Sequence, residues 1–223
     1  MLKAFVTLTA LLVMLYLISP LGREESIFRL SDKDKILLAQ EISRGGIILS
    51  TLERQPSDRL ELISFVCGVK QDTQTGFPEL ALVYEAEDLS SLAQTVVDDA
   101  EAHNHKARRA LTDENSPFSL VYGPYDTLPA GKYRACFRLK SADCSTSETV
   151  AKIDVASQIG EDILSQKNIR GNEFSYAGQY QTFCLKFTLE KRTSHLEYRV
   201  FFTDKADLWV DNITIEPDFS ALF

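Results

Sequence analysis

From about residue 130 to the end of the chain, apolar residues recur at every second position. In KYRACFRLK, Tyr133, Ala135, Phe137 and Leu139 fall on one face, and Arg134, Arg138 and Lys140 on the other. QTFCLKFTL groups Phe183, Leu185 and Phe187, and LEYRVFFT groups Leu196, Tyr198, Val200 and Phe202. A period of two marks strands with one buried face. The turn-forming stretches LPAGK, GNEFSYAG and TDKAD separate these runs. Short alternating strands punctuated in this way predict a mainly β domain, an antiparallel β-sandwich over residues 76–218. About 140 residues suffice for such a core.

Upstream the pattern changes. SDKDKILLAQEISRGG carries Leu38, Ala39 and Ile42 at helical spacing, with Ser31 placed to cap the start and Gly45-Gly46 to end it. IILSTLE and LELISFVCGV flank the polar RQPSDR, which predicts two strands around a turn. A single longer helix through Leu52 competes with the first strand, against the two glycines. QDTQTGFPE then makes a polar linker, so residues 23–75 form a connecting segment of short helix and hairpin.

Residues 1–22 stand apart again. Lys3 precedes AFVTLTALLVMLYLIS, an uncharged apolar stretch typical of an export signal. It is either a signal-anchor that is retained, with Lys3 inside, or a signal peptide that is cut. Both place the body outside the cytoplasm, membrane-anchored through this segment alone or secreted. Over all 223 residues the formal net charge is −8, which disfavours nucleic acid and anionic lipid surfaces as partners.

Export permits disulfides among the 4 Cys. Cys136 and Cys184 sit on the more polar faces of two alternating strands, so they either form a cross-strand bridge or fit as small side chains. No CxxC spacing is present, which disfavours zinc and thioredoxin-like chemistry.

LVYEAEDL, residues 82–89, poses the sharpest chemical question. On a strand, Glu85 and Glu87 would point to the same side and repel each other unless a cation lies between them or water screens them. YEAEDL, then LVYGPYDTLPAGKYRACFRLK, then ADLWVDNITIEP, resembles carbohydrate-binding modules of the galactose-binding-like jelly-roll type, such as those of families six and thirty-five. The resemblance covers residues 80–217. It implies a jelly roll and a structural calcium held by Glu85, Glu87 and Asp211. A hard cation of this kind takes six to eight oxygens and removes the repulsion between the glutamates.

The resemblance also implies a sugar cleft built from loops at one end of the sandwich. Such a site needs an aromatic plate for the apolar face of the ring and a few fixed polar groups. The candidate loops supply Asn104, His105, Arg108, Tyr125, Tyr176, Asp204 and Lys205, with Phe174 nearby. His103-Asn104-His105 stands where family members carry small Gly-rich segments. Trp209 shares a face with Asp211 and reads as packing rather than as a platform. Asp98, Asp99 and Glu101 before the two histidines make a polar surface loop in preference to a transition-metal site. Asn212-Ile213-Thr214 is a formal glycosylation sequon on the last predicted strand.

The expected function is non-catalytic glycan binding at the cell surface, with a polysaccharide or glycoconjugate as partner. The alternative is an envelope structural or assembly protein that uses the sandwich to contact another protein. An enzyme is disfavoured, because the paired glutamates read as metal ligands rather than as a glycosidase acid and base.

Overall fold

The computed structural model describes residues 31–43, 80–93 and 96–218. The expected N-terminal signal or anchor, the hairpin and the polar linker lie outside the described residues. The chain divides into two compact units between Leu80 and Ala81.

In the first unit, α1 spans Asp32–Ser43. Ser31 caps it as expected: its Oγ accepts the Asp34 backbone N–H at 3.2 Å and its carbonyl accepts that of Lys35 at 3.0 Å. Ile36, Leu38 and Ala39 are buried.

The second unit is a sandwich of two antiparallel sheets. The first holds β1 (Leu82–Glu85), β2 (Val96–Asp98), β3 (Lys106–Ala110), β6 (Gly131–Ser141), β9 (Tyr180–Leu189) and β11 (Leu208–Pro217). Its order is β2-β3-β11-β6-β9, and β1 pairs with β11 beyond the end of β3. The second holds β4 (Phe118–Val121), β5 (Pro124–Leu128), β7 (Thr149–Ser157), β8 (Asp162–Arg170) and β10 (Thr193–Phe202), in the order β4-β10-β7-β8. There β4 and β5 share one edge of β10.

The core follows the alternation. Tyr133, Ala135, Phe137 and Leu139 of β6 are fully buried, as are Leu196, Tyr198 and Val200 of β10. Phe183, Leu185 and Phe187 of β9 lie beside the β6 residues on the same buried face, with Tyr133 stacked on Phe187 at 5.4 Å between ring centroids. Each leucine, valine or phenylalanine among them contributes about 1.5–3 kcal/mol relative to an exposed one. Cys136 and Cys184 lie opposite each other on the outward face of β6 and β9 and are joined by a disulfide.

Two irregularities shape the chemistry. The strand that carries Glu85 stops there, and Ala86–Asp88 forms a 3-10 turn. Glu87 is therefore brought beside Glu85 by a turn and not by strand periodicity. In β11, Val210 pairs with Leu139 and Ile213 with Phe137, so Asp211 and Asn212 together oppose Arg138. This bulge turns both side chains to the outward face while Val210 and Ile213 stay in the core.

Candidate functional site

The acidic group sits where β1 meets β11. Arg108 on β3 fixes the turn after β1. It is 9% exposed, and it donates from Nε to the Ala86 carbonyl at 2.9 Å and from Nη2 to those of Glu87 and Leu89 at 3.1 and 2.6 Å. The guanidinium placed among sugar-binding candidates thus serves the backbone under Glu87. Residues 99–105, the loop from β2 to β3, fold across the outward face of the first sheet. His103 donates its backbone N–H to Asp211 Oδ1 at 3.0 Å, and its Nδ1 lies 2.8 Å from Glu85 Oε1. Asn104 donates to Glu87 Oε1. Asp211, which is fully buried, also pairs with Arg138 through Oδ2, where Asn212 Nδ2 adds a contact at 3.3 Å.

One oxygen of each glutamate is left over. Glu85 Oε2 and Glu87 Oε2 are buried and have no hydrogen-bond partner. Burial raises the Glu85 carboxyl above its ordinary range, the hydrogen bond and charge of His103 oppose this, and the charges of Asp211 and Glu87 add to it. Two orphaned carboxylate oxygens on neighbouring residues are a donor set suited to a hard cation. Among the described residues, no set of three His, Cys, Asp or Glu is arranged to hold a metal ion, and the Asp211 carboxylate is turned to His103 and Arg138.

Beside this group lies a network that the alternation alone does not reveal. Asp99 accepts from Lys140 and, at 3.0 Å, from the Tyr180 hydroxyl. Lys140 Nζ stands 4.7 Å from the Tyr180 ring centroid and 5.1 Å from that of Trp209, and Arg138 lies 4.4 Å over Tyr180. Burial works to raise the Asp99 carboxyl, yet Lys140, the Glu101 backbone N–H and Tyr180 together hold it below its usual range. Burial and the hydrogen bond to Asp99 push the Tyr180 phenol well up. Trp209 is half-buried under Lys140, in keeping with a packing role.

The loops 142–148, 171–179 and 203–207 meet at one end of the sandwich. Ala142 N donates to Asp207 O at 3.0 Å, Asn172 N to Thr146 O at 2.8 Å and Gly178 N to Ser141 O at 2.8 Å. Gly171 passes so close to Thr146 that a Cβ there would come within 2.4 Å of Thr146 Cγ2. Tyr176 is 65% exposed on this surface, and the 203–207 loop adds Asp204 and the exposed Lys205. Phe174 turns inward instead, edge-on to Phe183 at 4.9 Å.

Tyr125 belongs to a third place, on the outward face of the second sheet. It is 41% exposed and sits at φ 65°. Its phenol is raised by burial and then by the charge of Glu197, which pairs across β10 with Pro124. The candidate sugar residues therefore divide among three surfaces: Asn104, His105 and Arg108 at the acidic edge, Tyr176, Asp204 and Lys205 on the end loops, and Tyr125 on the second sheet.

No protein-family model matches this chain, and no curated protein matches it. Among solved structures it is similar to the family 35 carbohydrate-binding module from Clostridium thermocellum, at 20% identity over 60% of this chain and 97% of that one, with a TM-score of 0.41. It is similar also to the module CsCBM6-3 from Clostridium stercorarium in complex with cellobiose, at 13% identity over 61% and 94%, TM-score 0.42. A third is the C-terminal family 6 module of the laminarinase LamC from Zobellia galactanivorans, at 15% identity over 60% and 98%, TM-score 0.37. These structures are carbohydrate-binding modules, the class that the sequence resembles.

Proposed function

We propose that the chain is a non-catalytic glycan-binding module, exported to the cell surface, with a structural calcium beside Glu85 and Glu87. The observation that carries the glycan reading is the exposure of two aromatic rings. Among the described residues, Tyr125 and Tyr176 are the aromatic side chains that stand open to solvent, whereas the other tyrosines, the phenylalanines and Trp209 are buried or half-buried. Each is flanked by polar groups on rigid strands or on loops tied to them, the combination that sugar recognition needs. One of the similar structures, CsCBM6-3, is in complex with cellobiose, a neutral oligosaccharide of the kind proposed here as ligand.

The calcium would neutralise Glu85 Oε2 and Glu87 Oε2, and Asp211 would join them only by giving up Arg138 at its Oδ2. Its role is stability, not catalysis. Binding with a dissociation constant a hundredfold below the calcium concentration would add about 2.7 kcal/mol. The test is a glycan screen of the full chain with calcium and with chelator, alongside thermal melting. Binding to a defined sugar class, with a melting temperature raised by calcium in the wild type and unmoved in Glu85→Gln or Glu87→Gln, is the expected result. Silence across the screen would favour the protein-contact alternative.

A further inference from the structure

The outward face of the second sheet holds a buried carboxylate that the calcium reading does not use. Glu197 is 4% exposed, and its Oε1 is buried without a hydrogen-bond partner. Its neighbours across the ladder are Pro124 on one side and the small, fully buried Ala156 on the other. Two residues along β10, Arg199 gives Nε and Nη2 to the buried carboxylate of Asp154 at 2.7 and 3.1 Å, which leaves Nη1 without a bond. A free donor and a free acceptor thus stand on one face.

The turn from β7 to β8 closes over them. A Cβ built on Gly160 would lie 2.3 Å from Arg199 Nη1 and 3.7 Å from Glu197 Oε1, so these two atoms are at most about 6 Å apart. They make no ion pair within 4.0 Å. A gap of that width takes one oxygen atom with hydrogen bonds of about 2.8–2.9 Å to each side. The turn itself is strained: Gln158 and Ile159 have φ 53° and 59°, and a β-branched residue in the left-handed region is an outlier. Ile159 is 72% exposed, so little apolar contact holds the turn down. Tyr125, open to solvent, borders the same carboxylate.

We infer that Glu197 and Arg199 form a subsite for one hydroxyl group of a neutral glycan docked on Tyr125, reached when the Gln158–Gly160 turn lifts. The hydroxyl accepts from Arg199 Nη1 and donates to Glu197 Oε1, which satisfies both free groups at once. Unsatisfied buried acceptors are rare because they are costly, and strain at the covering turn adds to that cost. Ligand binding relieves both, while Asp154 holds the guanidinium in place. This inference rests on the glycan reading and assigns it a location away from the end loops.

The test follows backbone amide resonances of the full chain during titration with a panel of neutral oligosaccharides of hexose and pentose units. Saturable shifts at Gln158, Ile159 and Gly160, with affinity reduced about tenfold or more in Glu197→Gln, are expected. Glu197→Gln keeps the shape and removes an unpaired charge, so its melting temperature at pH 7 should be no lower than that of the wild type. Gly160→Ala, whose Cβ would displace Arg199, should also weaken binding. Saccharide binding that leaves 158–160 unshifted, or that is unchanged in Glu197→Gln, would overturn the subsite and leave the glycan reading standing. No shift anywhere in the protein with any member of the panel would overturn both.

Discussion

Replacing Arg108 by Met removes a fork that holds three carbonyls and keeps most of the volume. The bonds to Ala86 and Leu89 are buried, and the one to Glu87 is partly open to water. Hydrogen bonds from a charged donor contribute about 1.5–3 kcal/mol each, and the two buried ones decide the outcome at about 3–6 kcal/mol. Against this, the variant no longer buries a guanidinium, whose pKa burial already lowers despite the nearby Glu87 charge. A net loss of about 3 kcal/mol follows, or about 10 °C in melting temperature for a domain of this size. Urea unfolding of the full chain, followed by tryptophan fluorescence from Trp209, measures it. Arg108→Lys should recover less than half, because one ammonium cannot reach three carbonyls. A loss below about 1 kcal/mol in Arg108→Met would refute the claim that this side chain builds the Glu87 turn.

Three further outcomes are expected. Reducing the Cys136–Cys184 bridge, which spans 48 residues, should lower stability by about 3–4 kcal/mol, read as the shift in denaturation midpoint with and without reductant. Asp99→Asn should be less stable than the wild type at neutral pH. The folded pKa of Asp99 is depressed, so its contribution is present above the ordinary value of 3.8 and is lost as pH falls through the lower folded value; melting curves of the two proteins should converge there. Glu197 has the opposite sign: burial raises its pKa, the nearby Arg199 charge opposes this, and Asp154 adds to it. Glu197→Gln should therefore stabilise the protein at pH 7, with a gain that fades as pH falls to the ordinary glutamate value of 4.5.

The sandwich is legible because a period of two fixes which side chains enter the core, and β6, β9 and β10 each keep that period across four successive core positions. The alternation puts Cys136 and Cys184 on the outward face, but only the ladder register shows that they are opposite each other. The site was harder to read, since it depends on departures from periodicity. KARRA offers two adjacent arginines, and nothing in the alternation says that Arg108 turns to the Ala86–Leu89 backbone while Arg109 stays half-open. The extra residue at Asp211 and Asn212 cannot be seen without the pairing to Arg138. His103 read as part of a polar surface loop, yet that loop folds onto Glu85 and Asp211 through contacts distant in sequence. Glu197 and Arg199 fall between the core positions of LEYRVFFT, and the turn that covers them is invisible to a strand pattern.

The proposed glycan function requires this sandwich to hold sugar on an exposed tyrosine. The most direct measurement is the dissociation constant of the full chain for an oligosaccharide selected by screening, in calcium, for the wild type, Tyr125→Ala and Tyr176→Ala. Loss of one stacking ring should weaken binding at least tenfold in one of the two variants, with melting temperatures unchanged because both rings are open to solvent. Equal affinity in all three proteins, or no saccharide bound by the wild type, would contradict the claim.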